Sequence, residues 1–234
     1  MNKKIIYAIC MTLVMCTVIF ASSALAGRIL EQRLVETTIA TFKGRAGRQM
    51  FSIPFDNRES QVTVSDLRVG YKGRVYNLEE AVELGVVYPK LFVFDNGKKQ
   101  WKTLSKDDAL PTGQALLIDV YKTDEITINI IGKFFDSKRP ITTLSTGWNY
   151  FGKPSQRIVR VSDLCISYKG KTYNLEEAGS AGIVDGCISM FNNRENRWIR
   201  LSMSSIIPSG QVFCIYSYKS PVELRMNGLH PIIL

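Results

Sequence analysis

Along most of the chain, apolar positions recur in short runs separated by turn residues. Ile126, Ile128 and Ile130 take every second position, the period of a half-buried strand. Leu67 to Tyr71 and Arg74 to Tyr76 flank Lys72-Gly73, a two-residue connection that predicts a tight hairpin. Asn77 with Glu80 three residues on forms a capping box, so Leu78, Ala81 and Val82 read as a short helix closed by Gly85. Lys90 to Phe94 and Gln100 to Leu104 surround Asp95-Asn96-Gly97, a second hairpin signal. Pro111-Thr112-Gly113 feeds a strand from Ala115 to Tyr121, and Gln49 to Pro54 forms an entering strand.

The whole pattern then repeats. Val64-Ser65-Asp66-Leu67 returns 97 residues later as Val161-Ser162-Asp163-Leu164. Tyr76 to Ala81 returns as Tyr173 to Ala178, Trp101 as Trp198, and Gly113-Gln114 as Gly210-Gln211. Residues 64–122 align with 161–219 without a gap, and 26 of the 59 positions are identical, so the chain contains a duplication. Upstream the offset is 100, and Gly47, Phe51 and Pro54 match Gly147, Phe151 and Pro154. The expected fold is mainly β: two tandem small β-sandwich or partly open barrel domains, each with one short helix. The first module should cover 27–132 and the second 142–228, with a tail at 229–234. Leu34 to Phe42 is β-prone and has no equivalent after the second copy, so it is expected to add an edge strand to the first. Gly179 and Gly182 predict a weaker second helix, and Asn192-Asn193-Arg194, lacking glycine, a looser second turn.

The start of the chain follows another rule. Lys3 and Lys4 precede an apolar stretch from Ile5 to Ala21, and Ala24-Leu25-Ala26 offers small residues at a cleavage site before Gly27. Residues 1–26 therefore read as a secretory signal peptide, and the protein as exported to the periplasm, cell surface or medium. No later segment is apolar enough to span a bilayer. The formal net charge is +9, and loss of Lys3 and Lys4 would leave +7. The basic residues are scattered, so a specific nucleic-acid site is not expected.

Candidate chemistry is sparse. The single histidine, His230, lies outside both copies, which excludes a His-based triad or His-rich metal site within a module. The shared carboxylates Asp66/Asp163, Glu79/Glu176 and Glu80/Glu177 sit where helix caps and loop junctions need them. Neither a serine-nucleophile motif nor a glycine-rich phosphate loop occurs, and no cofactor or metal is expected. Beyond the leader the cysteines are Cys165, Cys187 and Cys214, aligned with Arg68, Lys90 and Leu117. Charged partners suggest that positions 165 and 187 face outward, so a Cys165–Cys187 disulfide is expected, with Cys214 a buried thiol; the competing readings are three free thiols or a different pairing. Each copy also places a tryptophan in a basic hairpin: Trp101 near Lys98 and Lys102, and Trp198 near Arg197 and Arg200. These six residues are the candidate ligand site, although the same tryptophans could simply anchor their hairpins.

Leu144-Ser145-Thr146-Gly147-Trp148-Asn149-Tyr150-Phe151-Gly152-Lys153-Pro154 resembles the Gly-Trp-Asn…Pro opening of β-rich modules in exported and surface proteins of bacteria and archaea. Tyr168 to Tyr173, Glu176 to Ala178, Trp198, and Pro208 to Gly210 continue that resemblance. The first copy departs from it, with Arg48-Gln49-Met50 in place of Trp-Asn-Tyr. The resemblance implies an accessory, adhesive or envelope role and transfers no catalytic residue. The expected function is a non-enzymatic structural or interaction protein of the cell envelope, binding polysaccharide or an envelope protein. The alternatives are a subunit of an extracellular filament, surface layer or secretion assembly, and a carboxylate-dependent hydrolase. Oligomeric state is left open by the sequence.

Overall fold

The computed structural model describes residues 35–42, 46–54, 62–132, 141–155 and 158–226. The expected signal peptide and C-terminal tail lie outside the described residues. The described chain is mainly β and forms four four-stranded antiparallel sheets, two per module.

In the first module, strands β1 (Val35–Phe42), β8 (Ile126–Gly132), β3 (Leu67–Tyr71) and β4 (Arg74–Asn77) make one sheet in that order. The other orders β2 (Gly47–Phe51), β7 (Leu116–Val120), β5 (Val87–Asp95) and β6 (Gln100–Leu104). The second module repeats both. One sheet orders β12 (Lys171–Asn174), β11 (Leu164–Tyr168), β16 (Val222–Met226) and β9 (Thr142–Leu144). The other orders β10 (Gly147–Gly152), β15 (Val212–Ser217), β13 (Ser189–Asn192) and β14 (Arg197–Arg200). The alternating isoleucines of β8 are all buried, and Phe51, Val69 and Ile118 join them in one core drawn from both sheets. Phe151, Ile166, Phe213 and Leu224 do the same in the second module. Full burial of such a side chain is worth roughly 1.5–3 kcal/mol.

The local signals act as the sequence implies. Lys72 and Gly73 take φ of 50° and 74°, and Lys169 and Gly170 take 50° and 76°, the left-handed pair that a two-residue hairpin requires. Helix α1 (Leu78–Glu83) opens with a complete capping box: Asn77 Oδ1 accepts from the Glu80 N–H, and Glu80 Oε2 from the Asn77 N–H. Helix α2 (Leu175–Ser180) is closed identically by Asn174 and Glu177 and has the same six residues, so its glycines do not shorten it.

Two other expectations change. β1 is not an addition peculiar to the first copy. β9 takes the equivalent place beside β16, ahead of the second entering strand, but is only three residues long and so left little signal. The second hairpin turn is not looser either. Asp95 Oδ1 accepts from Gly97 and Lys98, and Asn192 Oδ1 accepts from Arg194 and Glu195. The left-handed residue is Lys99 in one turn and Asn196 in the other, so the absence of a glycine opposite Gly97 costs nothing.

The modules join through the outer edges of β2 and β10. Asn96, at the tip of the first module's β5–β6 hairpin, accepts from the Tyr150 N–H at 2.8 Å and donates to the Tyr150 carbonyl at 2.9 Å. Asn193, its equivalent, makes the same two bonds to Met50, both at 2.7 Å. Each carboxamide thus stands in for a neighbouring strand and satisfies the open edge of the opposite module. Two residues on, the Ser52 N–H donates to the Gly210 carbonyl, and the Gly152 N–H to that of Gly113. A Cβ on Gly113 would lie 2.3 Å from the Ile141 carbonyl oxygen, and one on Gly210 1.7 Å from that of Ile39. Both modules keep glycine there because backbone ahead of the other module's entering strand passes against it.

Such reciprocity is the mark of an isologous interface, here closed within one chain. Asn96→Ala or Asn193→Ala is expected to lower stability by about 2 kcal/mol, because a partly buried strand N–H and C=O both lose their partner. Asn96→Asp should cost nearly as much, since a carboxylate cannot donate to the Tyr150 carbonyl. Urea denaturation checks this; an unchanged midpoint in both alanine variants would refute the clamp.

Candidate functional site

The hairpins that carry the sequence-predicted ligand residues are the ones that make this junction. Phe94, Ala115, Phe191 and Val212 are buried together there, with Met50, Trp101, Tyr150 and Trp198 packed against them. These are four pairs of equivalent positions. Tyr150 stacks on Trp198 at 5.4 Å and meets Phe94 edge-on at 4.5 Å. Trp101 is edge-on to Phe94, and Trp198 to Phe191. Burial pushes the Tyr150 phenol above its ordinary pKa. Both tryptophans are half-buried and packed against this cluster. Lys98, Lys102, Arg197 and Arg200 are exposed around them. Lys102, Arg197 and Arg200 lie on β6 and β14, the outermost strands of their sheets, where cationic side chains discourage pairing with another strand.

A cleft of about 660 Å³ opens beside the junction. Lys102 alone of the six candidate residues lines it. Asp95, Asn96, Thr112 and Gln114 contribute from the first module, and Thr142 and Thr143 from β9. The Lys98 N–H, then that of Gly97, holds the Asp95 carboxyl below its ordinary range, so the cleft presents both charges among amides and hydroxyls. That lining suits a polar ligand.

The residue that sequence reasoning missed is the junction asparagine. Its signal was present: Asn96 and Asn193 are identical, while the flanking pairs Asp95/Asn192 and Gly97/Arg194 differ. Lys99 was missed as well. Its Nζ donates to the Trp148 carbonyl at 2.8 Å and to Asn149 Oδ1 at 3.1 Å, and the Ser145 hydroxyl donates to the Asn96 carbonyl. Asn149, fully buried, holds the same loop through Ser145 and Gly147. Desolvation lowers the Lys99 pKa.

The expected Cys165–Cys187 disulfide is not formed; none of the three cysteines is in a disulfide. Cys165 is 1% exposed in β11. Its alignment with Arg68 misled because a long side chain can leave a covered position: the Arg68 guanidinium turns back to the Ser65 and Leu67 carbonyls. Cys187 is half-buried beside Arg200. Cys214 is buried as expected, and desolvation pushes its thiol up to about 12.

Of the shared carboxylates, Asp66, Asp163, Glu80 and Glu177 work as caps. Asp66 Oδ2 accepts from the Thr63 N–H and Asp163 Oδ2 from the Arg160 N–H, each at the start of a 3-10 turn. Among the described residues, no group of three or more His, Cys, Asp or Glu is placed to hold a metal. No helix of the described residues is long and apolar enough to cross a membrane. The chain matches no protein-family model, no curated protein and no solved structure.

Trp101→Ala and Trp198→Ala are each expected to cost about 2–4 kcal/mol of stability through the space left at the junction. Lys98→Ala and Lys102→Ala should stay within about 0.5 kcal/mol. Denaturant midpoints check both, and a silent tryptophan variant would show that the ring does not hold the modules. Iodoacetamide at pH 8 should label Cys187 in the native protein, and Cys165 and Cys214 only after unfolding. Mass spectrometry of tryptic peptides reads the order.

Proposed function

We propose that the chain is exported and acts without catalysis, as a rigid two-module interaction protein of the cell envelope. The observation that carries this reading is the reciprocal junction. The residues common to both copies are occupied in turns, caps and the mutual clamp of Asn96 and Asn193. Asp66, Asp163, Glu80 and Glu177 each accept a backbone N–H at a cap, which speaks against the hydrolase alternative. A body held this way keeps its surfaces in fixed relation, which suits presentation of a binding face. The leader-like residues 1–26 and the resemblance at Gly147 to Pro154 support an envelope location.

A filament or surface-layer subunit would need a free sheet edge. Part of the β1 edge is covered where Gly210 abuts Ile39. β4, β6, β12 and β14 are outermost strands that each carry Lys or Arg, and β9, also outermost, is only three residues long and a poor template for pairing. The interaction reading is therefore preferred to the assembly reading.

Fractionation of the producing cells should recover the protein with the envelope or medium, beginning at Gly27 by N-terminal mass spectrometry. Recovery from the cytosol with residues 1–26 intact would overturn the proposal. Sedimentation at high concentration should give a monomer; concentration-dependent polymers would restore the assembly reading.

A further inference from the structure

The two copies differ most tellingly on one sheet face. In the first module Arg48 of β2 lies directly opposite Asp119 of β7, and the two form an ion pair at 3.7 Å. At the same register in the second module Trp148 of β10 lies opposite Tyr216 of β15, edge-on at 5.4 Å. Tyr216 in turn meets Tyr218 at 5.1 Å, with the ring planes tilted by 59°. Trp148 is 50% exposed and Tyr218 52% exposed, so two aromatic rings flank a half-buried third on an open surface. The first module builds the same strand pair with an ion pair, so the fold does not require these rings.

A second difference accompanies the first. Tyr121, equivalent to Tyr218, packs edge-on against Tyr88 at 6.2 Å. The second module has Asp185 in place of Tyr88. Tyr218 thereby loses that aromatic neighbour and instead lines a cavity of about 510 Å³ with Asp185, Glu176, Arg200 and Ser202. Three positions have changed together, from Arg, Asp and Tyr to Trp, Tyr and Asp. The loop that presents Trp148 is also fixed from the opposite module, because Lys99 Nζ holds the Trp148 carbonyl and Asn149. The backbone that carries Trp148 is thus held before any ligand arrives.

We propose that Trp148, Tyr216 and Tyr218, with the adjoining Asp185 cavity, form a saccharide-binding site that only the second module possesses. The ligand class follows from the lining. The electron-rich face of an aromatic ring attracts weakly positive C–H groups, which a pyranose with equatorial hydroxyls presents on both faces. Asp185 and Glu176 can accept from hydroxyls, while Arg200 and Ser202 can donate to them. Two carboxylates disfavour a polyanion, and the mixed charges disfavour a hydrocarbon chain. The occupant is thus a neutral oligosaccharide of pyranoses whose hydroxyls are equatorial, the gluco configuration. This inference rests on the interaction reading above and names its ligand.

The test uses the full mature chain, titrated by calorimetry with cellotetraose and with the β-1,4 tetramer of N-acetylglucosamine. At least one should bind. Trp148→Ala and Tyr218→Ala should each weaken that binding at least tenfold, with unchanged circular dichroism and denaturation midpoint. Tyr121→Ala, the equivalent change in the first module, should leave affinity within twofold. Failure of both sugars to bind the wild type, or binding indifferent to Trp148→Ala, overturns the site. Trp148-dependent binding to phosphatidylglycerol vesicles in place of the sugars overturns the ligand class. Capture of envelope material that survives Trp148→Ala overturns this site and leaves the interaction reading standing; capture of nothing by the wild type counts against both.

Discussion

An open strand edge presents N–H and C=O groups that must be paired, hydrated or blocked. In this protein β2 and β10 each have such an edge, and each is closed by an asparagine from the other module. A carboxamide carries an acceptor oxygen and a donor nitrogen side by side, so one side chain can accept from a strand N–H and donate to its carbonyl. Everything at the junction depends on that exchange. It brings the hairpins close enough for Trp101, Trp198, Phe94 and Phe191 to pack in a shared cluster, and it brings each Pro-x-Gly turn against the other module's backbone. The two modules are held by polar pairing at the edges and aromatic contact beside them.

That arrangement divides the surface into constrained and free parts. At the junction the clamp asparagines Asn96 and Asn193, the tryptophans Trp101 and Trp198 and the phenylalanines Phe94 and Phe191 recur in both modules, while Met50 has Tyr150 as its equivalent. The sheet faces away from the junction carry no such constraint, and there the copies have diverged. The ion pair of Arg48 and Asp119 and the aromatic pair of Trp148 and Tyr216 fill one register of one strand pair with unlike chemistry. Lys99 couples the two regions, since it leaves the first module's hairpin to fix the loop bearing Trp148. The first module thereby shapes the surface of the second.

Much of the fold was legible because its signals are local. The capping boxes at Asn77 and Asn174, the Lys-Gly hairpins and the period-two isoleucines are fixed by neighbours within a few residues. The candidate site was only half legible. Trp101 and Trp198 stood out by recurrence, but recurrence alone does not distinguish a ring that meets a ligand from one that meets the sister module. Trp148, Tyr216 and Tyr218 drew no attention as a group, since Trp148 joins the two tyrosines only through the pairing of β10 with β15.

The sequence by itself determined a mainly β chain made of two like modules, the placing of their turns and caps, and the burial of Cys214. Tertiary structure alone decided that β1 has a partner in β9, that Cys165 is enclosed, and that the modules clasp each other through Asn96 and Asn193. The physical reason is range. Caps and turns are settled by atoms close along the chain, whereas an edge strand's partner or a cysteine's cover is supplied by residues many tens of positions away. Only the folded chain brings those residues together.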